Sequence, residues 1–479
     1  MTLPDTATAA TPEIAAPSPD GFWGLVRESL RGARHDFTSL PLGRAILLLA
    51  VPMVLEMVME SVFAVADIFW VSKLGPDAIA TVTLTESMLI IIYAFAMGLA
   101  MGTAAIVARR IGEKDPHGAA RAAVQAIALG VGLAVIVGVA GALAAPHLLE
   151  MMGASHDVIA IGSRFTRVML GGSVTVILLF LVNAAFRGAG DPTVAMRTLI
   201  LANGINIVLG PLLVFGVGPF PRMGVTGAAI ATTIGRSIGV LFGLSQFFRQ
   251  SGRVHIHRRH LRLDPGLMAR LVSLSSSGTF QVLIGTASWI GLVRILASFG
   301  SNALAGYTIA IRVVLFALLP SWGMSNAAAT MVGQALGARK PDRAERAVWM
   351  AARYNFFFLG AVGLLFFFGA RGIVGLFTND AAVAEFARTG LRVIAVGFVL
   401  YAYGMVLSQS FNGAGDTWTP TWLGFFSFWV FEIPLAYVLA VHVGLGPLGV
   451  FIAIPAAFSI YALAALVMFR RGTWKTKKV

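Results

Sequence analysis

The segment Phe186-Arg-Gly-Ala-Gly-Asp191 recurs later in the chain as Phe411-Asn-Gly-Ala-Gly-Asp416. We call the shift in residue number that carries Phe186 onto Phe411 the repeat offset. The same shift aligns residues 43–250 with residues 268–475 without an insertion. The aligned identities include Gly75 with Gly300, Gly98 with Gly323, Gly112 with Gly337, Pro116 with Pro341, Arg121 with Arg346 and Gly224 with Gly449. One register kept over so much of the chain indicates an internal duplication, which predicts two similar halves around a pseudo-two-fold axis.

Composition indicates the solvent that these halves face. Of the 479 residues, 57% are apolar and 12% are charged, and the mean hydropathy is +0.82, which leaves too little polar surface for a soluble protein of this size. Each half contains six apolar stretches of at least the roughly 20 residues that cross a bilayer. In the first half they are 45–71, 78–108, 120–145, 158–186, 192–216 and 224–248, and the second half repeats them at the repeat offset. The sequence therefore predicts an all-α polytopic membrane protein with twelve transmembrane helices in two six-helix lobes, related by a pseudo-two-fold axis along the membrane normal.

Basic residues mark one side of the membrane. Lys and Arg concentrate before the first helix, in the second loop of each half, in the central linker and at the C-terminal end, and the formal net charge is +14. By the positive-inside rule we expect both termini on the cytoplasmic side of the cytoplasmic (inner) membrane. The predicted divisions are a tail with a candidate interfacial helix (1–42), an N-lobe with TM1–6 (43–248), a basic linker (249–266), a C-lobe with TM7–12 (267–470) and a basic tail (471–479).

Several classes of function are disfavoured. The absence of cysteine excludes disulfides, thiol catalysis and Cys-ligated metals. No aspartate-rich diphosphate motif, HExxH or Gly-x-Ser-x-Gly motif is present, so we expect no enzyme and no cofactor. His255, His257 and His260 have a spacing that suggests a metal, but their arginine neighbours favour a solvated linker. The basic charge fits topology and anionic lipid headgroups, and we expect no nucleic-acid partner.

Three carboxylates interrupt the first apolar stretch, and all lie on one helical face. Measured from Glu56 at about 100° per residue, Glu60 lies about 40° and Asp67 about 20° away. A charged side chain at mid-helix costs about 2.5–3.5 kcal/mol on insertion, so this stripe is predicted to face protein or a water-filled cavity and to mark an ion or substrate path. Two alternatives remain: Glu56 hydrogen-bonds a neighbouring helix as a structural group, or Asp67 reaches headgroup water.

Pro52 lies one turn before Glu56 and predicts a kink, either static or able to re-aim the stripe. The C-lobe does not repeat the acids, because the equivalent positions are Gln281, Gly285 and Leu292. Its one comparable acid is Glu432, a second polar site or the partner of a buried arginine. Arg236 and Arg312 are candidate counter-ions within the membrane.

The chain resembles the multidrug and toxic compound extrusion (MATE) family over roughly residues 43–470. The resemblance rests on Pro52…Asp67-Ile-Phe-Trp-Val-Ser-Lys-Leu-Gly75, on Ala-Arg-Arg-Ile-Gly112 with Gly-Gln-Ala-Leu-Gly337, and on the repeated Gly-Ala-Gly-Asp segments. It implies two six-helix lobes, alternating access, and substrate export in exchange for inward H⁺ or Na⁺. It also implies a cation site in the N-lobe at Asp67, with polar partners Asn183, Asn203 and Asn206.

We therefore expect a secondary antiporter that exports amphipathic or cationic organic compounds, with Asp67, Glu56 and Glu60 coupling H⁺ or Na⁺. Gln281 and Glu432 are predicted to add polar groups to the cavity. The expected partners are small-molecule substrates and membrane lipids, and the protein is expected to be monomeric. The alternative is a flippase for a lipid-linked saccharide or a lipid, which shares the broader fold but favours a cationic cavity. A passive channel fits a one-sided acidic site less well.

Overall fold

A computed structural model describes residues 21–32, 35–249, 252–477 and 479; it leaves out the side chains of residues 22, 65, 67 and 68. The helices of the first half are α1 (Phe22–Arg31), α2 (Leu42–Ser72), α3 (Pro76–Gly112), α4 (Pro116–Met151), α5 (His156–Gly171), α6 (Ser173–Ala189), α7 (Pro192–Phe215) and α8 (Val225–Gln246). The candidate helix of the tail corresponds to α1, which packs against α2.

The second half follows the same order. Its helices are α9 (Pro265–Ala297), α10 (Ser301–Gly337), α11 (Pro341–Gly375), α12 (Ala381–Val396), α13 (Phe398–Ala414), α14 (Trp418–Gly424), α15 (Ile433–Tyr437) and α16 (Pro447–Arg470). A π-helical segment, Phe425–Glu432, joins α14 to α15, and a second, Val438–His442, follows α15, so that all four form one span, Trp418–His442.

The number of membrane crossings agrees with the prediction. Within the described residues, eleven helical segments are long and apolar enough to span a membrane, and α12 with α13, which meet at 59°, completes a twelfth. The repeat offset carries the α5–α6 junction at Gly172 onto the α12–α13 junction at Gly397. The duplication therefore extends to the position at which the fourth helix of each lobe is interrupted, and the all-α fold in two six-helix lobes is confirmed.

Backbone geometry also repeats at this offset. Gly190 and Gly415 end equivalent helices in the left-handed conformation, at φ 79° and 84°. Lys114 and Arg339 are non-glycine residues with positive φ, at 59° and 58°. Because such angles are uncommon for residues with a Cβ, their recurrence shows that the two halves build the same turns.

The repeat offset fails at the last helix. Helix α8 begins after Gly224 (φ 58°, ψ −139°), and α16 begins after Gly446 (φ 59°, ψ −141°), whereas the offset places the equivalent glycine at Gly449. The pairing of Gly224 with Gly449, and an alignment without insertions, are therefore wrong there. The cause is local: the eleventh span is lengthened by its π-helical turns, and the connection after it is shorter, 443–446 against 216–224.

Glycines let the two lobes approach each other closely over one half of the molecule. We call the end of that half, which carries Arg109, Lys114 and Arg339, the basic face, and the close contacts extend from there to mid-membrane. A Cβ on Gly98 of α3 would lie 2.6 Å from the carbonyl oxygen of Ser275 on α9. At the basic face itself, a Cβ on Gly112 would overlap the backbone of Gln334 on α10. Close packing of this kind needs small residues, as is usual between membrane helices. The lobes are thus held together on the basic side.

The C-terminal tail reinforces this closure. Trp474 is fully buried and stacks on Phe469, with ring centroids 4.7 Å apart. Nη2 of Arg109, at the end of α3, donates to the carbonyl oxygen of Lys477 over 2.8 Å, and Nζ of Lys477 lies 3.2 Å from Oδ1 of Asp416. Since Arg109 belongs to the first half and Asp416 to the second, the tail connects the two lobes.

The segment before α2 does the same from the N-terminal side. The guanidinium of Arg253, in the linker, lies 5.0 Å from the ring centroid of Phe37. Nη2 of Arg343, on α11 of the second half, donates to the carbonyl oxygen of Phe37 over 2.8 Å. The segment before α2 and the C-terminal tail therefore both lie across the junction of the lobes at the basic face.

Candidate functional site

Glu56 and Glu60 of the acidic stripe on α2 face the interior of the first lobe. Helix α2 packs mainly against α7 of its own lobe and α10 of the other. Along α2 from the basic face, the contact with α10 at Met53 comes first, then Glu56, then Glu60 about 6 Å further. Asp67 lies further along the same helix, but its side chain is outside the described residues. Its assignment as the cation site stays a prediction.

Glu56 is engaged in an ion pair. It is 1% exposed, and Oε1 lies 2.5 Å from Nη1 of Arg187 on α6. Nδ2 of Asn183, one turn earlier on α6, donates to the same oxygen at 3.5 Å. Oε2 has no hydrogen-bond partner among the described residues. A buried acid held this way matches the structural alternative for Glu56, while a role in coupling stays a prediction.

Glu60 is less tightly held than Glu56. It is partly buried, and the charge of Arg236 on α8 acts on it. The amide of Asn203 on α7 lies beside it and donates from Nδ2 to the carbonyl oxygen of Met59 over 3.3 Å. Arg236 in turn donates from Nη2 to the Tyr93 hydroxyl over 3.0 Å and lies 5.8 Å from the centroid of the Phe63 ring. An acid with an amide donor and a partly exposed guanidinium nearby can exchange its partner more readily than a pair sealed in the core.

Two arginines thus balance the two described acids of the stripe, and the predicted counter-ion Arg236 does lie beside one of them. Arg312 instead is exposed on α10. Nδ2 of Asn206 donates to Oγ1 of Thr232 over 2.7 Å, so this amide links α7 to α8 rather than reaching the stripe. The first lobe therefore has a polar interior lined by α2, α6, α7 and α8.

Pro52 is buried inside α2, which continues through it as one helix from Leu42 to Ser72. The neighbouring backbone is tightly packed: a Cβ on Gly323 of α10 would lie 2.8 Å from the carbonyl carbon of Met53. The junction of the two lobes therefore lies beside the proline. A bend at Pro52 that re-aims the stripe stays a prediction.

The second lobe has its own buried polar groups. Glu432 ends the π-helical segment Phe425–Glu432, is 2% exposed, and its Oε2 has no hydrogen-bond partner among the described residues. The same holds for Oε1 of Gln281, which is half-buried on α9. Both predicted cavity residues thus hold an unsatisfied oxygen inside the lobe.

The histidines of the linker form a cluster with His117 at the start of α4. The His117 and His260 rings are 5.3 Å apart, and Nδ1 of His260 accepts a hydrogen bond from the backbone of His257. Burial and the neighbouring charge of Arg259 lower the pKa of His260 below its usual value. Slight desolvation and the neighbouring charges of His255 and Arg259 lower the pKa of His257. In the described part of the chain no group of three metal-type ligands is arranged to hold an ion.

Arg187 is the site residue that sequence reasoning missed. The signal was present in the repeated segment, because position 187 is Arg where the equivalent position is Asn412. Glu56 likewise has the uncharged equivalent Gln281. Glu56 and Arg187, two of the charges that the second half does not repeat, pair with each other in the structure.

Comparison with known proteins gives a consistent family. The model of the MatE family matches residues 52–212 and 279–438. The chain is 26% identical to the probable multidrug resistance protein YoeA of Bacillus subtilis over 443 residues, covering 91% of this chain and 95% of that one. It is 25% identical over 381 residues to a protein of Shewanella oneidensis named as a FAD transporter, covering 79% of this chain and 84% of the relative.

Solved structures agree. A crystal structure of MATE in the straight conformation superposes with a TM-score of 0.86 at 28% identity, covering 92% of this chain and 98% of that chain. A structure described as the outward-facing conformation of a multidrug resistance MATE family transporter gives the same TM-score, identity and coverage. The polar lobe interior, the two six-helix lobes and the family match converge: the chain belongs to the MATE family and is a membrane transporter rather than an enzyme.

Proposed function

We propose that this transporter is a secondary active antiporter that exports amphipathic organic compounds, cations among them, in exchange for inward H⁺ or Na⁺. The observation that carries the proposal is the position of the acidic stripe. Glu56 and Glu60 face a polar lobe interior, directly beyond the contact between Met53 of α2 and Gly323 of α10. Acids inside a membrane protein at such a place mark ion and substrate paths.

Orientation follows from charge. The basic face carries the arginines and lysines of the second loop of each half, so by the positive-inside rule it is cytoplasmic, as are both termini. The lobes are in close contact on that side, at Gly98, Gly112, the segment before α2 and the C-terminal tail. In this conformation the stripe is therefore closed to the cytoplasm, and alternating access requires these contacts to separate.

The three acids of the stripe have different roles in this proposal. Asp67 and Glu60 take the coupling ion, and the Asn203 amide lies beside the Glu60 carboxylate. Glu56 is held by Arg187 and keeps the α2–α6 contact in place. A cationic substrate and the coupling ion need the same negative charge, so each excludes the other, and exchange follows because the conformational change proceeds with one of them bound.

The substrate wall is apolar and adaptable. Phe63 lies under Arg236, and Met57 and Met59 flank the stripe on α2. Methionine and aromatic side chains accommodate varied shapes, which suits a broad range of amphipathic compounds. Relatives of comparable identity include both probable multidrug resistance proteins and a FAD transporter, so overall identity does not select one substrate.

The test is dye transport by the purified full chain in proteoliposomes, with ethidium as the substrate. An inward-directed pH gradient and an inward-directed Na⁺ gradient are applied separately, each with the other ion balanced. The proposal predicts that one of them drives ethidium export and that dissipating it stops transport. If neither gradient moves the dye, coupled efflux is refuted, and the flippase alternative for a lipid-linked saccharide or lipid takes its place.

A further inference from the structure

The second lobe contains an acid that the coupling scheme above does not use. Glu432 lies midway along the eleventh span, is 2% exposed, and its Oε2 accepts no hydrogen bond within the described residues. In the part of the chain that the structure describes, no basic side chain pairs with it. This contrasts with Glu56, which is equally buried but lies 2.5 Å from a guanidinium.

The groups around Glu432 are polar but neutral. Tyr307 of α10 and Tyr401 of α13 both lie within electrostatic reach of its carboxyl group. Tyr461 of α16 is turned to another partner, because its hydroxyl bonds the Ser408 hydroxyl. The basic side chains on the elements packed here are Arg270 and Arg294 on α9, the exposed Arg312 on α10, His442 at the end of the eleventh span, and Arg470 on α16. None of these acts on the Glu432 carboxyl group.

Two tyrosines can hydrogen-bond a carboxyl group but cannot cancel its charge. Burying an unpaired carboxylate costs far more than burying the neutral acid, and the bilayer around the lobe supplies no water to offset it. In this conformation the group is therefore the carboxylic acid. Its charged form requires a change of surroundings, such as a conformation in which water or a cation reaches it.

The backbone at this point departs from regular α-helical geometry. Glu432 ends a π-helical segment, and Pro434, two residues later, removes a backbone donor. Single π-turns inside helices are frequent at functional positions because they loosen the regular hydrogen-bond ladder.

This segment is also linked to the junction of the lobes. Nε1 of Trp429 donates to the carbonyl oxygen of Ile284 on α9 over 3.0 Å. The same helix α9 meets α3 of the other lobe at Ser275 and Thr279. A separation of the lobes at α3 and α9 would therefore act on the π-helical segment.

We propose that Glu432 is a second proton-binding residue, in the C-lobe, which takes up and releases one proton in each transport cycle in addition to the ion bound by the α2 stripe. The step is a proton transfer alone: the carboxylate accepts H⁺ from water on the outer side and returns it to water on the cytoplasmic side, with no change in electrons. The inference rests on the proposed antiport function and adds a second site to it.

The experiment counts protons per exported ethidium in proteoliposomes, with a pH indicator trapped inside, for the wild type, Glu432→Gln and Glu432→Asp. Glu432→Gln should lower the count by one proton and flatten the pH profile of export, whichever ion the stripe uses. Glu432→Asp keeps a titratable group and should retain the wild-type count. The matched control is Glu385→Gln, an exposed acid of the same lobe, which should change neither quantity.

Each other outcome is decisive. An unchanged count and pH profile in Glu432→Gln overturns the inference while leaving antiport intact. A Gln variant that fails to fold also overturns it, because glutamine closely matches the neutral acid in shape and charge. A Glu432→Asp variant with the count of Glu432→Gln contradicts it too. A wild type that exports no ethidium under either gradient refutes the antiport function itself.

Discussion

Nη1 of Arg187 lies 2.5 Å from Oε1 of Glu56, joining α6 to α2 at a position that is almost fully buried. Neither charge has an equivalent in the second half, where Asn412 and Gln281 occupy the corresponding positions. The pair therefore distinguishes the lobes chemically while the helices that carry it remain alike. It also explains how α2 holds an acid mid-membrane at tolerable cost.

Breaking this pair should be strongly destabilising. Glu56→Gln leaves the Arg187 guanidinium without its carboxylate, and removing one partner of a buried ion pair typically costs about 3–5 kcal/mol. Thermal unfolding of the purified protein in detergent should show a clear fall in Tm for Glu56→Gln. The double variant Glu56→Gln with Arg187→Gln should recover part of the loss. If the double variant loses as much as the two single variants added together, the charges are not coupled and the pair has no role.

The close approach of the lobes predicts a size limit at Gly112. An alanine there would drive its Cβ into the backbone of Gln334, and overpacking of this kind costs about 1–3 kcal/mol. Gly132→Ala is the matched control, because no atom lies within 4 Å of a Cβ at that position on α4. Gly112→Ala should lower Tm and favour separation of the lobes at the basic face, whereas Gly132→Ala should not.

Separation can be measured by cross-linking cysteine pairs, since the natural chain has no cysteine to interfere. A pair placed across α3 and α10 at the basic face should cross-link less in Gly112→Ala than in the parent. Equal cross-linking and an equal Tm would show that the contact tolerates a methyl group and is not tight.

Trp474 should contribute strongly to holding the C-terminal tail against the two lobes. It is fully buried against Phe469, and a buried Trp replaced by Ala typically costs about 3–5 kcal/mol. We expect Trp474→Ala to detach the tail that joins Arg109 to Asp416, and so to increase protease cleavage after residue 472. Trp23→Ala, at a tryptophan that is 79% exposed, is the control and should leave cleavage unchanged. A tail equally resistant in both variants would contradict the packing described.

The histidine cluster predicts how stability depends on pH. The pKa of His260 is lowered by burial and by Arg259, so the folded chain binds its proton less readily than the unfolded chain does. The contribution of His260 is therefore complete above the unfolded pKa of about 6.5 and is lost as pH falls from there toward the lowered folded value.

Tm measured across that range should fall less steeply in His260→Gln than in the wild type. His147→Gln serves as the control, because that imidazole is largely exposed beside Glu150. Identical slopes for the wild type and His260→Gln would mean that the linker cluster does not sense pH.

Much of the fold follows from two sequence signals, periodicity and hydropathy. The repeat offset correctly relates Gly190 to Gly415 and Lys114 to Arg339, because backbone turns are set locally by residues that the duplication preserved. It fails for Gly224, because π-helical turns in the eleventh span and a shorter connection change the register without leaving a mark in the hydropathy pattern.

The site was partly predictable for the same reason. The angular spacing of Glu56 and Glu60 correctly placed both on one interior face, since that depends only on helix geometry. The partners come from α6, α7 and α8, far away in sequence, and only the tertiary fold determines which of Arg187, Arg236 and Asn203 meets which acid. The burial of Trp474 likewise depends on tertiary packing, against Phe469 of α16, and the composition of the chain does not show this contact.

The central claim is that the carboxylates of α2 bind the coupling ion and the substrate in turn, and Asp67→Asn tests it most directly. In proteoliposomes with the driving gradient imposed, Asp67→Asn should fold with a wild-type Tm but lose gradient-driven ethidium export. Glu60→Gln should lose most of that export. The control Glu385→Gln, at an exposed acid, should export normally. Export at the wild-type rate and ion count by both Asp67→Asn and Glu60→Gln would contradict the account.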